Sequence, residues 1–133
     1  MGIVASSFGH RVIMTDHNQD ALSFARANAL LNGISDLEIK ELDWNRPEVK
    51  GTFDYIVGSE ITYKEKYFQP FRSLFKTYLK DDGEVILASS IRKTSMELIR
   101  RMSDIFHIEA QKKNLRSQDI KISIMLCKMR FKK

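Results

Sequence analysis

The sequence predicts an α/β fold, with a doubly wound, mostly parallel sheet that ends in an antiparallel pair of strands. Three observations predict it. Short apolar runs rich in β-branched and aromatic residues alternate along the chain with segments whose apolar residues recur at i+3 and i+4. The last two extended runs follow each other with no helical segment between them. The length of 133 residues and a hydrophobic share of 43% fit one domain, 1–133, with a real core.

Gly2 to Phe8 reads as the end of a helix stopped by Gly9. Arg11 to Thr15 is a short strand, and Asp16-His17-Asn18 follows it. Asn18 suits an N-cap, because its side-chain oxygen can accept from a free backbone N–H. The helix then runs from Gln19 to about Leu31 and closes at Asn32-Gly33. Leu37 to Leu42 alternates strictly, as a half-exposed edge strand does. Asp43 to Pro47 is a loop.

Phe53 to Val57 reads as a strand buried on both faces of a parallel sheet. Tyr67 to Leu79 carries Phe68, Phe71, Leu74, Phe75, Tyr78 and Leu79 at helical spacing. Asp81-Asp82-Gly83 reads as a turn, and Glu84 to Ala88 as a second buried strand. Thr94 or Ser95 can cap a helix to about Phe106, with Met96, Leu98, Ile99, Met102 and Ile105 facing inward. Ile108 to Leu115 and Ile120 to Phe131 form the closing pair around a polar turn at Ser117-Gln118-Asp119.

Composition excludes several classes. No apolar run approaches the ~20 residues of a membrane span, and no signal-peptide pattern opens the chain. The single cysteine, Cys127, lies in an apolar alternating run and reads as a buried, inert thiol. These features point to a cytoplasmic setting. His10, His17 and His107 are scattered without ligand spacing, so no metal is expected. Met1-Gly2-Ile3-Val4-Ala5-Ser6 also fits the permissive myristoylation pattern, but the helix-end reading is preferred. Charge is uneven. Residues 1–90 hold 10 Lys and Arg against 13 Asp and Glu, whereas residues 91–133 hold 12 against 4. A basic third can attract RNA or an acidic protein, yet no aromatics interleave with it as in a nucleic-acid stacking platform.

The candidate site lies beyond the strand at Phe53. In open α/β sheets ligands bind past the carboxyl ends of the strands. Glu60, Thr62 and Tyr63 stand there, and a carboxylate and a phenol are the groups that chemistry would use.

Four pieces in this order carry a family resemblance: Val12 to Asn18, Leu42-Asp43-Trp44, Phe53 to Tyr63, and Gly83 to Ala88. Together they resemble methyltransferase family 16, the methyltransferase-21-like protein-lysine enzymes, within the seven-stranded enzymes that use S-adenosyl-L-methionine. The resemblance implies a protein substrate and S-adenosyl-L-methionine as cofactor. It places Asp16, Asn18, Asp43, Trp44 and Ser59 at the cofactor, with Asp16 on the ribose and the Asp43-Trp44 pair at the adenine. It places Glu60 and Tyr63 at the reacting amine, as the family's acidic-x-x-Tyr motif with Glu for the usual Asp. Ser59-Glu60-x-x-Tyr63 also resembles the family's histidine-directed branch.

One family piece is absent: the first strand and the Gly-rich turn that precede the opening helix. Three arrangements follow: the chain is a fragment, another chain or copy supplies the strand, or the flanking strands pair directly and the cofactor pocket is lost. A non-catalytic module that binds partners through its basic C-terminal third is the competing reading.

Overall fold

The structure is a computed structural model that describes residues 1–117 and 120–133. It divides into two compact units, Met1–Glu48 and Val49–Lys133. Among the described residues no helix is long and apolar enough to cross a membrane.

The first unit holds helix α1 (Gly2–Ser7), strand β1 (Ile13–Asp16), helix α2 (Gln19–Leu31) and strand β2 (Glu38–Glu41). β1 and β2 pair in parallel, with Asp16 opposite Glu41. Both strands therefore leave the sheet at the same end. The expected caps are present. Asn18 Oδ1 accepts from the N–H groups of Asp20 (2.8 Å) and Ala21 (3.2 Å). At the other end Gly33 takes φ +67°, the left-handed conformation that a helix terminator needs. Leu22 and Ala29 are the buried face of α2, while Phe24, Leu30 and Leu31 are exposed.

The second unit holds strand β3 (Phe53–Ser59), a single 3-10 turn (Glu65–Tyr67), helix α3 (Phe68–Tyr78), strand β4 (Leu79–Ser90), helix α4 (Lys93–Met102) and strands β5 (Phe106–Ser117) and β6 (Ile120–Phe131). The sheet order is β3-β4-β6-β5. β3 and β4 are parallel, and β6 is antiparallel to both β4 and β5. The sheet is thus mixed, and its antiparallel closure falls where the alternating C-terminal runs require it. The last strand inserts between β4 and β5. Gln118 and Asp119 of the expected turn lie outside the described residues.

Five expectations are corrected. β3 is not buried on both faces: Tyr55 is 61% exposed and Val57 48%. Among the described residues β3 pairs with β4 alone, so it is an edge strand. Asp81-Asp82-Gly83 is no turn. β4 stays extended through it, and the mismatch is absorbed by a register shift, with Phe53 opposite Leu79 and Tyr55 opposite Glu84. Gly83 is needed for proximity: an added Cβ would lie 2.8 Å from Leu79 Cδ1 and 2.9 Å from the Asp54 carbonyl oxygen. α4 begins at Lys93, so Thr94 and Ser95 lie inside the helix and neither caps it; Arg92 at the cap position has no acceptor to offer. α4 also ends at Met102, and Met96 is exposed while Leu98 and Met102 are buried.

The core of the second unit is aromatic. Phe71 and Phe75, one helical turn apart on α3, stack at 6.0 Å, and Phe75 meets Phe106 edge-on at 6.4 Å. Phe106 stacks on Phe131 at 4.9 Å. Each such pair adds about 0.5–1.5 kcal/mol beyond area burial. On β6 the buried row is Met125, Cys127 and Met129, whereas Ile120 and Ile122 are exposed. Among the described residues one charge is buried in the sheet: Glu84, 6% exposed, is paired across the β4–β6 ladder by Arg130 and approached by Lys128 at 3.9 Å. A buried carboxylate without such partners would be strongly destabilising.

Two outcomes follow. Gly83→Ala should destabilise the protein by about 1–3 kcal/mol, since backbone on one side leaves the new methyl nowhere to go; urea unfolding of the two proteins checks it. Burial raises the Cys127 thiol to about 11 from its ordinary 9.0. The neutral thiol is therefore the form that the fold holds. Its contribution to stability is complete below pH 9 and is lost as pH rises toward 11. At pH 8 Cys127 should resist a thiol reagent such as dithionitrobenzoate until denaturant is added.

Candidate active site

The first unit presents its polar groups where the parallel pair β1–β2 ends. Asp16 closes β1 and is exposed. Its Oδ1 accepts from the Asn18 N–H at 2.9 Å, a local turn that hands the chain to α2, and His17 Nδ1 lies 3.5 Å away. The Leu42 N–H donates to the Asp16 carbonyl at 3.0 Å and carries the pairing one residue past β2. Asp43 and Trp44 follow at once, and the Trp44 ring stands 6.3 Å from the His17 ring. Asp16 and Trp44, separated by 27 intervening residues, thus flank one imidazole. Asp43 Oδ1 accepts from Asn45 N–H (2.8 Å) and Nδ2 (2.9 Å). The Asn45 backbone N–H is the largest cause, ahead of its amide side chain, that holds the Asp43 carboxyl below its ordinary range. Asn18 spends its side-chain oxygen on the α2 cap.

The second unit builds its site at the end of the β3–β4 pair. Ser59, the last residue of β3, is exposed opposite Ala88. At Glu60 the backbone turns to φ +54°, a left-handed conformation unusual for a side chain other than glycine. Its N–H still donates to the Ala88 carbonyl at 2.9 Å, so the reversal occurs right at the sheet's edge. The turn carries the Glu60 carboxylate back over the end of β4. There Oε1 accepts from the Ser90 backbone N–H and from its Oγ at 2.8 Å, while Arg92 Nη2 lies 3.3 Å from Oε2. The Ser90 hydroxyl is the largest of the influences that lower the Glu60 carboxyl, outweighing its slight desolvation; the Ser90 N–H and the Arg92 charge act in the same direction. Strain of this kind persists only where the surroundings over-determine it, and it gathers at functional positions.

What over-determines it is a buried hydroxyl cluster that sequence reasoning missed. Thr62, 3% exposed, sits inside the acidic-x-x-Tyr segment. Its Oγ1 is 3.0 Å from Ser95 Oγ, which is fully buried. Ser89 Oγ donates to Ser95 Oγ at 3.2 Å, and Ser95 Oγ donates to the Ser90 carbonyl at 3.0 Å. One hydroxyl therefore binds the loop after β3, the end of β4 and the start of α4. The only signal in the sequence was a run of small hydroxyl residues, Ser89, Ser90, Thr94 and Ser95, beside an apolar strand. Tyr63 is 38% exposed, and its ring meets Tyr67 edge-on at 6.2 Å; Tyr67 in turn contacts Phe71. The phenol thus stands at the surface end of the aromatic core.

The sequence pattern of the family described as "Lysine methyltransferase" matches residues 1–111. The chain belongs to that family. The protein N-lysine methyltransferase METTL21A of Xenopus tropicalis is 30% identical over 97 residues, which cover 69% of this chain and 45% of that protein. The chain thus spans less than half the length of this curated relative. Solved structures of methyltransferases share the fold. N-methyltransferase NodS from Bradyrhizobium japonicum, in complex with S-adenosyl-L-homocysteine, has a TM-score of 0.72 at 17% identity, covering 92% of this chain and 67% of its own. Precorrin-6y C5,15-methyltransferase from Geobacter metallireducens has a TM-score of 0.74 at 13% identity, with the same coverages of 92% and 67%. At these identities the likeness speaks for the α/β methyltransferase-like fold alone.

The hydroxyl cluster makes a ranked prediction. Ser95→Ala removes a group with three partners and leaves buried hydroxyls unsatisfied, at a cost of about 1–3 kcal/mol. Thr62→Val removes one partner only and should cost about 0.5–1.5 kcal/mol. Urea unfolding should rank Ser95→Ala as the more damaging; the reverse order would deny Ser95 its role as the junction.

Proposed function

We propose that this chain is an S-adenosyl-L-methionine-dependent N-methyltransferase that acts on a lysine of a protein substrate, with both units belonging to one methyltransferase domain. The observation that carries the reading is Glu60: a strained backbone at the end of parallel strands, in a family of lysine methyltransferases, that presents a carboxylate fixed on one oxygen by Ser90. The name of the related METTL21A supports lysine as the target.

The donor set of the first unit fits the nucleoside half of the cofactor. Asp16 offers a carboxylate at a strand end, where it can accept from ribose hydroxyls. Asp43 is held ionised and can accept from an amino group, and Trp44 offers a ring face for stacking. In this reading Asn18 and Ser59 border the cofactor. The cofactor supplies a methyl group on an electrophilic sulfonium. The open edge of β3 fits a sheet completed by one further strand, which would bring the glycine-rich turn for the methionine half.

Glu60 then acts as an orienting counter-ion. Its hydrogen bonds favour the charged form, which makes it a weak proton acceptor and a good anchor for an ammonium. Tyr63 can accept from the same ammonium, which must release a proton to solvent before its nitrogen has the lone pair that receives the methyl group. Positioning of this sort accounts for most of what such a site can contribute, because the electrophile comes ready-made.

Isothermal titration with S-adenosyl-L-homocysteine should show micromolar binding, weakened about tenfold in Asp16→Asn, which corresponds to about 1.4 kcal/mol, one charge-assisted hydrogen bond or less. Transfer of labelled methyl from the cofactor to protein should fall about 100-fold in Glu60→Gln and about tenfold in Tyr63→Phe. Unchanged labelling in both variants would remove these two residues from the mechanism.

A further inference from the structure

The two oxygens of Glu60 are not equivalent. Oε1 is committed to the chain: the Ser90 N–H and hydroxyl both donate to it. Oε2 is approached by one group only among the described residues, the Arg92 guanidinium at 3.3 Å. That guanidinium also reaches back to Ser90 Oγ at 3.4 Å, at the limit of a hydrogen bond. Arg92 is itself loosely held. Its side chain is 49% exposed beside a Glu60 that is 45% exposed, and its contacts to Glu60 and Ser90 are long, at 3.3 and 3.4 Å. The carboxylate is rigid because its strained backbone and Ser90 fix it; the cation beside it rests on a long, solvated arm.

We infer that Glu60 Oε2 is a subsite for a primary alkylammonium, which the chain's own Arg92 fills until a substrate amine displaces it. This rests on the lysine-directed reading above and adds a specificity residue to it. An exposed ion pair of this kind shifts an equilibrium by less than tenfold, so a substrate cation can replace Arg92 at little cost. Charge balance favours replacement over addition. Two cations on one carboxylate oxygen repel each other, so the incoming ammonium and Arg92 compete. Arg92 thereby discriminates against weakly docking amines: only a lysine with further contacts to the protein displaces it. A free Glu60 would take any small cation.

The test uses the full chain, carbon-13 labelled, and reads the Glu60 side-chain carboxyl resonance by NMR as n-butylammonium chloride is added, with tetramethylammonium chloride at matched ionic strength as the control. In Arg92→Met the resonance should move saturably, with an apparent affinity at least fivefold tighter than in the unaltered chain. Arg92→Lys should restore the competition, and the response should vanish in Arg92→Met combined with Glu60→Gln. Equal affinity with and without Arg92 would overturn the inference. Weaker binding in Arg92→Met would also overturn it, by making Arg92 a support for the subsite instead of its occupant. In methyl-transfer assays on a lysine peptide the change should fall on KM. A chain that transfers no methyl group would sink the proposed function, and the NMR titration would still decide the place of Arg92.

Discussion

The parallel pairing of β3 with β4 is the constraint on which the site of the second unit depends. Because the strands run the same way, their carboxyl ends arrive together, Ser59 beside Ala88. The chain leaving β3 must then turn at once, and it does so through the left-handed backbone of Glu60. A non-glycine residue in that conformation costs of the order of 1–2 kcal/mol. The Ser95 hydroxyl offsets the cost by holding Thr62, Ser89 and the Ser90 carbonyl in one buried cluster. α4 starts without a side-chain cap because Arg92, which carries no acceptor, holds the cap position, with Thr94 and Ser95 already inside the helix.

The two ends of the acidic-x-x-Tyr segment answer to different forces. Glu60 is governed by hydrogen bonding and charge at a half-exposed position, where Ser90 and Arg92 keep it ionised. Tyr63 is governed by packing, as the outermost ring of a series that continues through Tyr67 and Phe71 into Phe75 and Phe106. A carboxylate set by donors and a phenol set by a rigid aromatic core are both pre-organised, by means that do not compete.

Much of this was legible in the chain. The α2 boundaries, its Asn18 cap and the Gly33 stop depend on local backbone chemistry, and they read off correctly. The aromatic face of α3 follows from helical spacing, and the buried Cys127 from its place in an alternating run. The readings that failed share a cause. Asp81-Asp82-Gly83 has turn composition, yet β4 stays extended because a neighbouring strand supplies its pairing. Thr94 and Ser95 have cap chemistry, yet Ser95 found partners distant in sequence, in Thr62 and Ser89. Tyr55 and Val57 have core character, yet their strand has one neighbour among the described residues and stays open on the other side.

By itself the sequence determined the order of elements and the residue types at each strand end, because these rest on short-range periodicity and on side-chain chemistry, and its ordered motifs carried the resemblance to the family. Only the tertiary structure decided how those side chains are held: which oxygen of Glu60 is bound, that Ser95 is its remote anchor, and that Arg92 faces it. Hydrogen bonds and ion pairs between residues some thirty positions apart depend on where the backbone has been carried, and no local pattern records that.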